Sequence, residues 1–113
     1  MKSKEIRLRC WIDVDGKKFF GPGPAQLLEL IESEGSISKA ARHMGMSYKK
    51  AWDIIVDLNT RGQKPYVISH KGGEKGGGAE LTPAGKEVLL KYRSITDRLN
   101  SVIEKETELL LLI

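Results

Sequence analysis

Two short helical patterns separated by one glycine constrain this chain more than any other feature of its sequence. Ser36 and Ser38 are both candidate N-caps of the first helix, and Gly45 stands where a helix end favours a left-handed residue. Ser47 can cap a second helix that continues to Asn59. Its core-facing positions are spaced i, i+3, i+4 and i+7, at Ala51, Ile54, Ile55 and Leu58. Residues 36–59 therefore predict a helix-turn-helix.

The flanking segments predict one small α+β domain over residues 1–113, mainly α with small β elements. Residues 1–21 predict a β-hairpin turning at Asp15-Gly16, and residues 24–34 predict a helix with Pro24 in its first turn. Residues 66–82 predict a second hairpin whose centre is rich in glycine and lysine. A helix-turn-helix followed by a hairpin with a basic tip is typical of a winged helix.

The last segment, residues 83–113, predicts one long helix capped by Thr82. About thirty helical residues extend ~45 Å, which is more than a small core needs. Apolar residues follow a heptad spacing that Glu106 interrupts, and they form the predicted dimerisation seam: Val88, Tyr92, Ile95, Leu99, Val102, Leu109 and Ile113. We expect a homodimer. The alternative is an adaptor that docks a separate sensor protein through this C-terminal helix.

The positive charge of the chain is concentrated in its middle. The formal net charge is +4, yet residues 36–78 hold eight basic and three acidic residues, whereas the remainder holds 11 basic and 12 acidic ones. A basic segment between balanced ones is expected of a surface that binds a polyanion, although solvated lysines without a partner give the same pattern.

Motifs for catalysis or for a cofactor are not evident. His43 and His70 have no partner at metal-ligand spacing, and Gly85-Lys86 is followed by Glu87 where a phosphate-binding loop needs Ser or Thr. Cys10 is the single cysteine, which excludes an internal disulfide. The sequence shows neither a secretory signal nor an apolar run near the ~20 residues that span a bilayer. We therefore expect a cytoplasmic protein that is not an enzyme and carries no cofactor or metal.

Double-stranded DNA is the polyanion that best fits these features. The N-terminus of the second helix can bring free N–H groups and hydroxyls to phosphates, while the start of the first helix grips the backbone. Lysines in the glycine-rich hairpin supply further charge. The predicted DNA-contacting residues are Ser36, Ser38, Lys39, Ser47, Tyr48, Lys49, Lys50, Trp52, Lys71 and Lys75. For Trp52, half-buried packing and a direct base or sugar contact both stay open.

Three stretches together resemble a known family. They are Gly35–Ala41 (GSISKAA), Ser47–Asp53 (SYKKAWD) and the glycine-lysine segment 72–82 that ends in Leu81-Thr82. In this order they resemble the N-terminal domain of molybdate-responsive transcriptional regulators of the ModE type. The resemblance covers most of the chain. It implies a dimeric winged-helix regulator that binds a palindromic operator, with Ser47, Tyr48, Lys49 and Lys50 on the recognition helix.

Two departures from the family pattern limit what the resemblance implies. Sensory members carry a C-terminal half that binds molybdate between subunits, and these 113 residues include no such segment, so molybdate sensing is not expected here. The wing reads Gly-Gly-Glu-Lys-Gly-Gly-Gly, with Glu74 where the family usually has lysine. This acid is expected to weaken or redirect a phosphate contact.

Overall fold

Five helices and four short strands make up the part of the chain that the computed structural model describes, residues 2–70 and 78–113. Their order is β1 (Ile12–Val14), β2 (Lys17–Phe20), α1 (Pro22–Glu34), α2 (Ile37–His43), α3 (Tyr48–Arg61), β3 (Val67–His70), β4 (Gly78–Leu81), α4 (Pro83–Lys105) and α5 (Glu108–Leu111). β1 pairs with β2 and β3 pairs with β4, both antiparallel. The expected class, mainly α with small β elements, is confirmed.

The core forms where α1, α2 and α3 turn their apolar stripes toward one another. The fully enclosed side chains include Leu27, Leu28 and Ile31 of α1, Ala40 of α2, and Ile55 and Leu58 of α3. Aromatic rings close one side, because the ring of Phe20 meets those of Tyr66 and Tyr92 edge to face at 6.4 and 5.0 Å between centroids. The helical spacing of apolar residues thus becomes one continuous buried cluster.

Helix α1 begins at Pro22, two residues before the predicted start at Pro24. Pro22 occupies the first helical position, where its missing N–H leaves no bond unmade. The preceding residue, Gly21, packs against Trp11 so closely that a Cβ there would overlap the indole ring. At the other end, Gly35 adopts φ +66°, a left-handed conformation that glycine accepts without strain, and the helix ends there.

The N-terminal hairpin is shorter than the predicted residues 1–21. Its turn lies at Asp15-Gly16, where φ is 52° and 76°. Phe20 pairs with Ile12, and α1 then begins at Pro22. β2 therefore ends before it could pair with residues that precede Ile12. Residues 2–11, which the structure describes, form no strand.

The long terminal helix predicted for residues 83–113 is interrupted. α4 ends at Lys105, and α5 spans only Glu108–Leu111. Glu106 leaves the helical region with φ −95° and ψ 69°. Glutamates are unfavourable at a helix C-terminus, and Glu104 would face Glu108 one turn away in a continuous helix. The side chains at 104–109 are exposed, so no burial offsets this repulsion.

The N-terminal segment runs along α4 toward α5. The Tyr92 hydroxyl donates to the Cys10 carbonyl at 2.8 Å, and the Lys4 ammonium donates to the Leu110 carbonyl at 3.1 Å. Tyr92 is only 4% exposed and belongs to the core, so it does not lie on an exposed dimerisation seam. Val88 is half-buried. The other predicted seam residues are exposed: Ile95, Leu99, Val102, Leu109 and Ile113.

None of the helices within residues 2–70 and 78–113 has both the length and the apolar character needed to span a membrane.

Replacing Tyr92 with phenylalanine tests its role in the core. The Tyr92→Phe variant loses the bond to the Cys10 carbonyl, and the free energy of unfolding should fall by about 1 kcal/mol. Urea unfolding at neutral pH measures this. Tyr48→Phe is the control, because Tyr48 is 55% exposed and its change should stay within about 0.5 kcal/mol. Equal stability of both variants would contradict the assignment.

The Tyr92→Phe variant should also change how the free energy of unfolding depends on pH above neutrality. Burial raises the pKa of Tyr66 and of Tyr92 above the ordinary value of 10.0, and Cys10 adds to the rise at Tyr92 while Arg93 opposes it. A phenol whose folded pKa is raised stabilises the fold below its unfolded pKa, and this stability is lost as pH rises through the folded pKa. The loss above about pH 10 should be smaller in Tyr92→Phe than in the natural chain.

Candidate nucleic-acid interface

A groove of about 390 Å³ brings together the start of α2, the first turns of α3 and the ends of β3 and β4. It is lined by Ser36, Ile37, Ser38, Tyr48, Trp52, Ser69, His70 and Gly78. Four of these, Ser36, Ser38, Tyr48 and Trp52, are predicted DNA-contacting residues. The hairpin residues Ser69, His70 and Gly78 were not found from the sequence, because only the pairing of β3 with β4 carries them to α2 and α3.

Two serines fix the helix starts at this groove. The Ser36 hydroxyl accepts from the Lys39 N–H at 3.2 Å, and the Ser47 hydroxyl accepts from the Lys50 N–H at 3.1 Å. Of the two candidate caps for α2, Ser36 is therefore the N-cap, and Ser38 is an exposed residue of the first turn. Each cap satisfies one of several N–H groups that a helix start leaves without a partner.

A tight turn sets α3 beside α2. Gly45 adopts φ +67°, as its position between the two helical patterns predicts, and the Met46 N–H donates to the Ala41 carbonyl at 3.0 Å. A residue with a Cβ is strained at this φ. The turn thus presents the start of α3 on the same side of the molecule as the start of α2.

Two aromatic side chains form one wall of the groove. The rings of Tyr48 and Trp52 stack with an interplanar angle of 8° and centroids 6.4 Å apart. Trp52 remains 37% exposed. Trp52 thus packs against Tyr48 and also lines the groove, so both possibilities given by the sequence, packing and a contact with DNA, remain predictions.

The lysines of α3 lie outside the groove lining. Lys49 and Lys50 are exposed, and the Lys49 ammonium is 3.0 Å from the Asp53 carboxylate one turn along. Both partners are largely in solvent, so this ion pair is weak and easily exchanged for a phosphate. Lys39, at the start of α2, is exposed as well.

Arg61 has a structural role instead. Its guanidinium donates to the carbonyls of Val14, Lys17 and Lys18 at 3.0 to 3.3 Å and to the Asp57 carboxylate at 3.0 Å. It therefore ties the end of α3 to the β1–β2 turn. One of the eight charges counted in the basic middle segment is thus committed within the fold.

Hydrogen bonds from Asn59 hold the β3–β4 hairpin against α3. Its side-chain oxygen accepts from the N–H groups of Tyr66 and Val67 at 2.8 and 3.1 Å, and its amide donates to the Val67 carbonyl at 3.0 Å. On the other strand, the Ala79 N–H donates to the Gly35 carbonyl at 3.0 Å. The hairpin is therefore anchored both to α3 and to the corner between α1 and α2.

The hairpin also brings the His70 side chain to the groove. The His70 imidazole lies 3.0 Å from the Glu80 carboxylate. The predictions for Lys71 and Lys75, and the acid expected at Glu74, fall within residues 71–77 and lie outside the described residues.

A larger concavity of about 750 Å³ lies on the α4 side of the hairpin, between Tyr66, Ile68, Pro83 and Val88. Of the predicted DNA-contacting residues that the structure describes, none lines it. Among the residues that the structure describes, no cluster of three or more His, Cys, Asp or Glu side chains could hold a metal ion.

Comparison with known proteins finds relatives of this chain among ModE and Mop proteins. The chain is 34% identical over 108 residues to the molybdenum transport protein ModE of Azotobacter vinelandii, which is 96% of the chain and 40% of that protein. It is 48% identical over 69 residues to the molybdenum-pterin-binding protein MopB of Rhodobacter capsulatus, 61% of the chain and 26% of the relative. With the DNA-binding transcriptional dual regulator ModE of Escherichia coli K12 it shares 41% over 76 residues, 67% of the chain and 29% of the regulator.

The structure defines a small α+β protein whose site is built by a helix pair and a β-hairpin. The comparisons show that the chain is similar to ModE and Mop proteins over 61% to 96% of its own length. The chain matches between 26% and 40% of the length of these relatives, and none of their names denotes an enzyme. No protein-family model matches the chain.

Removing the cap of α3 should weaken the fold at this surface. Ser47→Ala loses the bond to the Lys50 N–H and should lower the free energy of unfolding by about 1 kcal/mol. Ser38→Ala, in an exposed position without a capping role, should change it by less than about 0.5 kcal/mol. Chemical denaturation of both variants measures the difference. A destabilisation by Ser38→Ala as large as that by Ser47→Ala would contradict the cap assignment.

Proposed function

We propose that this chain is the DNA-binding part of a ModE-type transcriptional regulator in the cytoplasm. In this proposal it is a winged helix that lays the first turns of α3 in the major groove of a palindromic operator. The start of α2 contacts the adjacent backbone, and the β3–β4 hairpin serves as the wing. The convergence of α2, α3 and the hairpin on one groove carries the proposal.

The chemistry of this surface supports duplex DNA as the partner. Hydroxyls of Ser36, Ser38 and Ser69 can donate to phosphate oxygens or base edges, and the start of α3 offers backbone N–H groups. Lys39, Lys49 and Lys50 extend the exposed basic surface around the groove. The name of the E. coli relative, a DNA-binding transcriptional dual regulator, points to the same activity.

Selection of bound duplexes from a random pool, followed by titration against salt, tests the proposal. The logarithm of the binding constant should fall linearly with the logarithm of the salt concentration, with a slope of roughly −0.9 per phosphate neutralised. The selected sequences should be palindromic, because a symmetric dimer binds two equivalent half-sites about one helical turn apart. A flat salt dependence would contradict the proposal.

A pair of lysines on α3 should carry part of this affinity. The double variant Lys49→Ala, Lys50→Ala should bind the selected duplex at least about tenfold more weakly and reduce the salt slope by about 2. The double variant Lys86→Ala, Lys91→Ala is the matched control, since it removes the same charge from α4, which contributes no residue to the groove. A gel-shift titration measures both. Equal losses in the two variants would show a nonspecific charge effect instead.

We further propose that the chain dimerises through the exposed apolar side chains of α4 and the C-terminal segment. Ile95, Leu99 and Val102 follow one another at four and three residues on one side of α4 and are 43%, 38% and 59% exposed. Beyond α4, Leu111, Leu112 and Ile113 are 82%, 84% and 70% exposed. Such a run of exposed apolar residues is unusual unless a partner covers it.

Light scattering at micromolar concentration tests the dimer. The natural chain should have the mass of two copies, and Leu99→Glu with Val102→Glu should reduce it to one, because two charges would be buried in the interface. Leu90→Glu is the control, since Leu90 is 72% exposed on α4 but lies off this stripe. A monomeric natural chain would favour the adaptor alternative, in which a separate sensor protein covers the same apolar residues.

A role in molybdate binding is suggested by the names of the MopB and Azotobacter relatives, which refer to molybdenum. The chain corresponds to a minor part of each of them. We propose that these residues supply DNA binding and not the oxyanion site. Calorimetric titration of the chain with molybdate should give no heat of binding.

A further inference from the structure

The aromatic wall of the groove is the part of the interface that simple charge attraction does not explain. Tyr48 and Trp52 lie one turn apart on α3, outside its buried stripe of Ala51, Ile55 and Leu58. They are 55% and 37% exposed, and their rings are parallel within 8°. Large aromatic side chains left in solvent at a binding groove offer apolar contact to a partner.

The residues around these two rings indicate which kind of chemical group the groove can bind. The same groove is lined by the hydroxyls of Ser36, Ser38 and Ser69 and by the His70 imidazole, whereas Lys49 and its partner Asp53 lie outside the lining. The groove therefore suits an apolar group that is flanked by hydrogen-bonding groups. A bare phosphate, which calls for positive charge, fits it less well.

We infer that Tyr48 and Trp52 read thymine methyl groups in the major groove. This inference rests on the proposed function and specifies which base the recognition surface selects. Thymine is the one base that presents a methyl group in the major groove, beside hydrogen-bonding positions of its own base pair. The two ring centroids are 6.4 Å apart, nearly twice the roughly 3.4 Å rise between base pairs, so the wall can contact two thymines that are separated by one base pair.

Deoxyuridine supplies the decisive probe, because it differs from thymidine only by lacking the methyl group. Each thymine of a duplex selected by the natural chain is replaced in turn by deoxyuridine, and affinity is measured by gel shift. At one or two positions in each half-site the affinity should fall roughly fourfold per methyl group, the value of burying one such group. The base-pairing pattern is unchanged by this substitution.

Alanine variants of Trp52 and Tyr48 test whether these side chains cause the loss of affinity for deoxyuridine. In Trp52→Ala and in Tyr48→Ala, the discrimination between thymine and deoxyuridine should disappear at the position that the removed ring contacts and remain at a position that the other ring contacts. Val56→Ala is the matched control, because Val56 is 42% exposed one turn beyond Trp52 but does not line the groove. Val56→Ala should keep the fourfold discrimination. Circular dichroism verifies that each variant is folded.

The outcomes separate the two proposals. Selection of a duplex that shows no sensitivity to deoxyuridine at any position would overturn the inference and leave DNA binding intact. Sensitivity that persists unchanged in both Trp52→Ala and Tyr48→Ala would also overturn it, by assigning the methyl contact to other residues. Failure to select any duplex would overturn the proposed function itself and the inference with it.

Discussion

The hydrogen bonds of the Asn59 side chain are the constraint on which the geometry of this surface depends. They fasten the beginning of β3 to the last turns of α3, and the bond from the Ala79 N–H to the Gly35 carbonyl fastens β4 to the corner before α2. Backbone groups at the start of a strand need partners when they are buried. One amide side chain satisfies three of them here. The hairpin is thereby held beside both helices, and the groove exists because all three elements are held together.

The charged residues and the groove lining are separate parts of this surface. The lysines of α2 and α3 are exposed and do not line the groove, whereas the groove itself presents aromatic rings, hydroxyls and an imidazole. Lysines can attract any phosphate backbone and so add affinity without selecting a sequence. The groove lining has the donors and apolar groups that can distinguish base edges. Arg61 belongs to neither group, because its guanidinium donates hydrogen bonds to carbonyls of the β1–β2 turn.

The terminal helices show how a periodic sequence can overstate a continuous structure. The apolar spacing from Val88 to Ile113 predicts one long helix, yet the chain leaves the helix at Glu106. Periodicity records which side chains share a face and says nothing about whether the backbone between them stays helical. Near Glu106 the repulsion between carboxylates outweighs the stabilisation from the apolar side chains, because exposed apolar side chains contribute little until a partner buries them. Tyr92 fits the same heptad spacing, but it is buried in the core, where its ring packs against Phe20 and its hydroxyl donates to the Cys10 carbonyl.

The sequence by itself determined the elements whose signals are local. The caps at Ser47 and Thr82, the left-handed glycine at 45 and the apolar stripe of α3 all follow from interactions within a few residues. Only the tertiary structure decided that Ser69, His70 and Gly78 reach the groove, that Arg61 turns inward, and that Tyr92 is buried. These outcomes depend on contacts between segments that are far apart along the chain. No local propensity encodes such contacts, because they arise only when the whole core has closed.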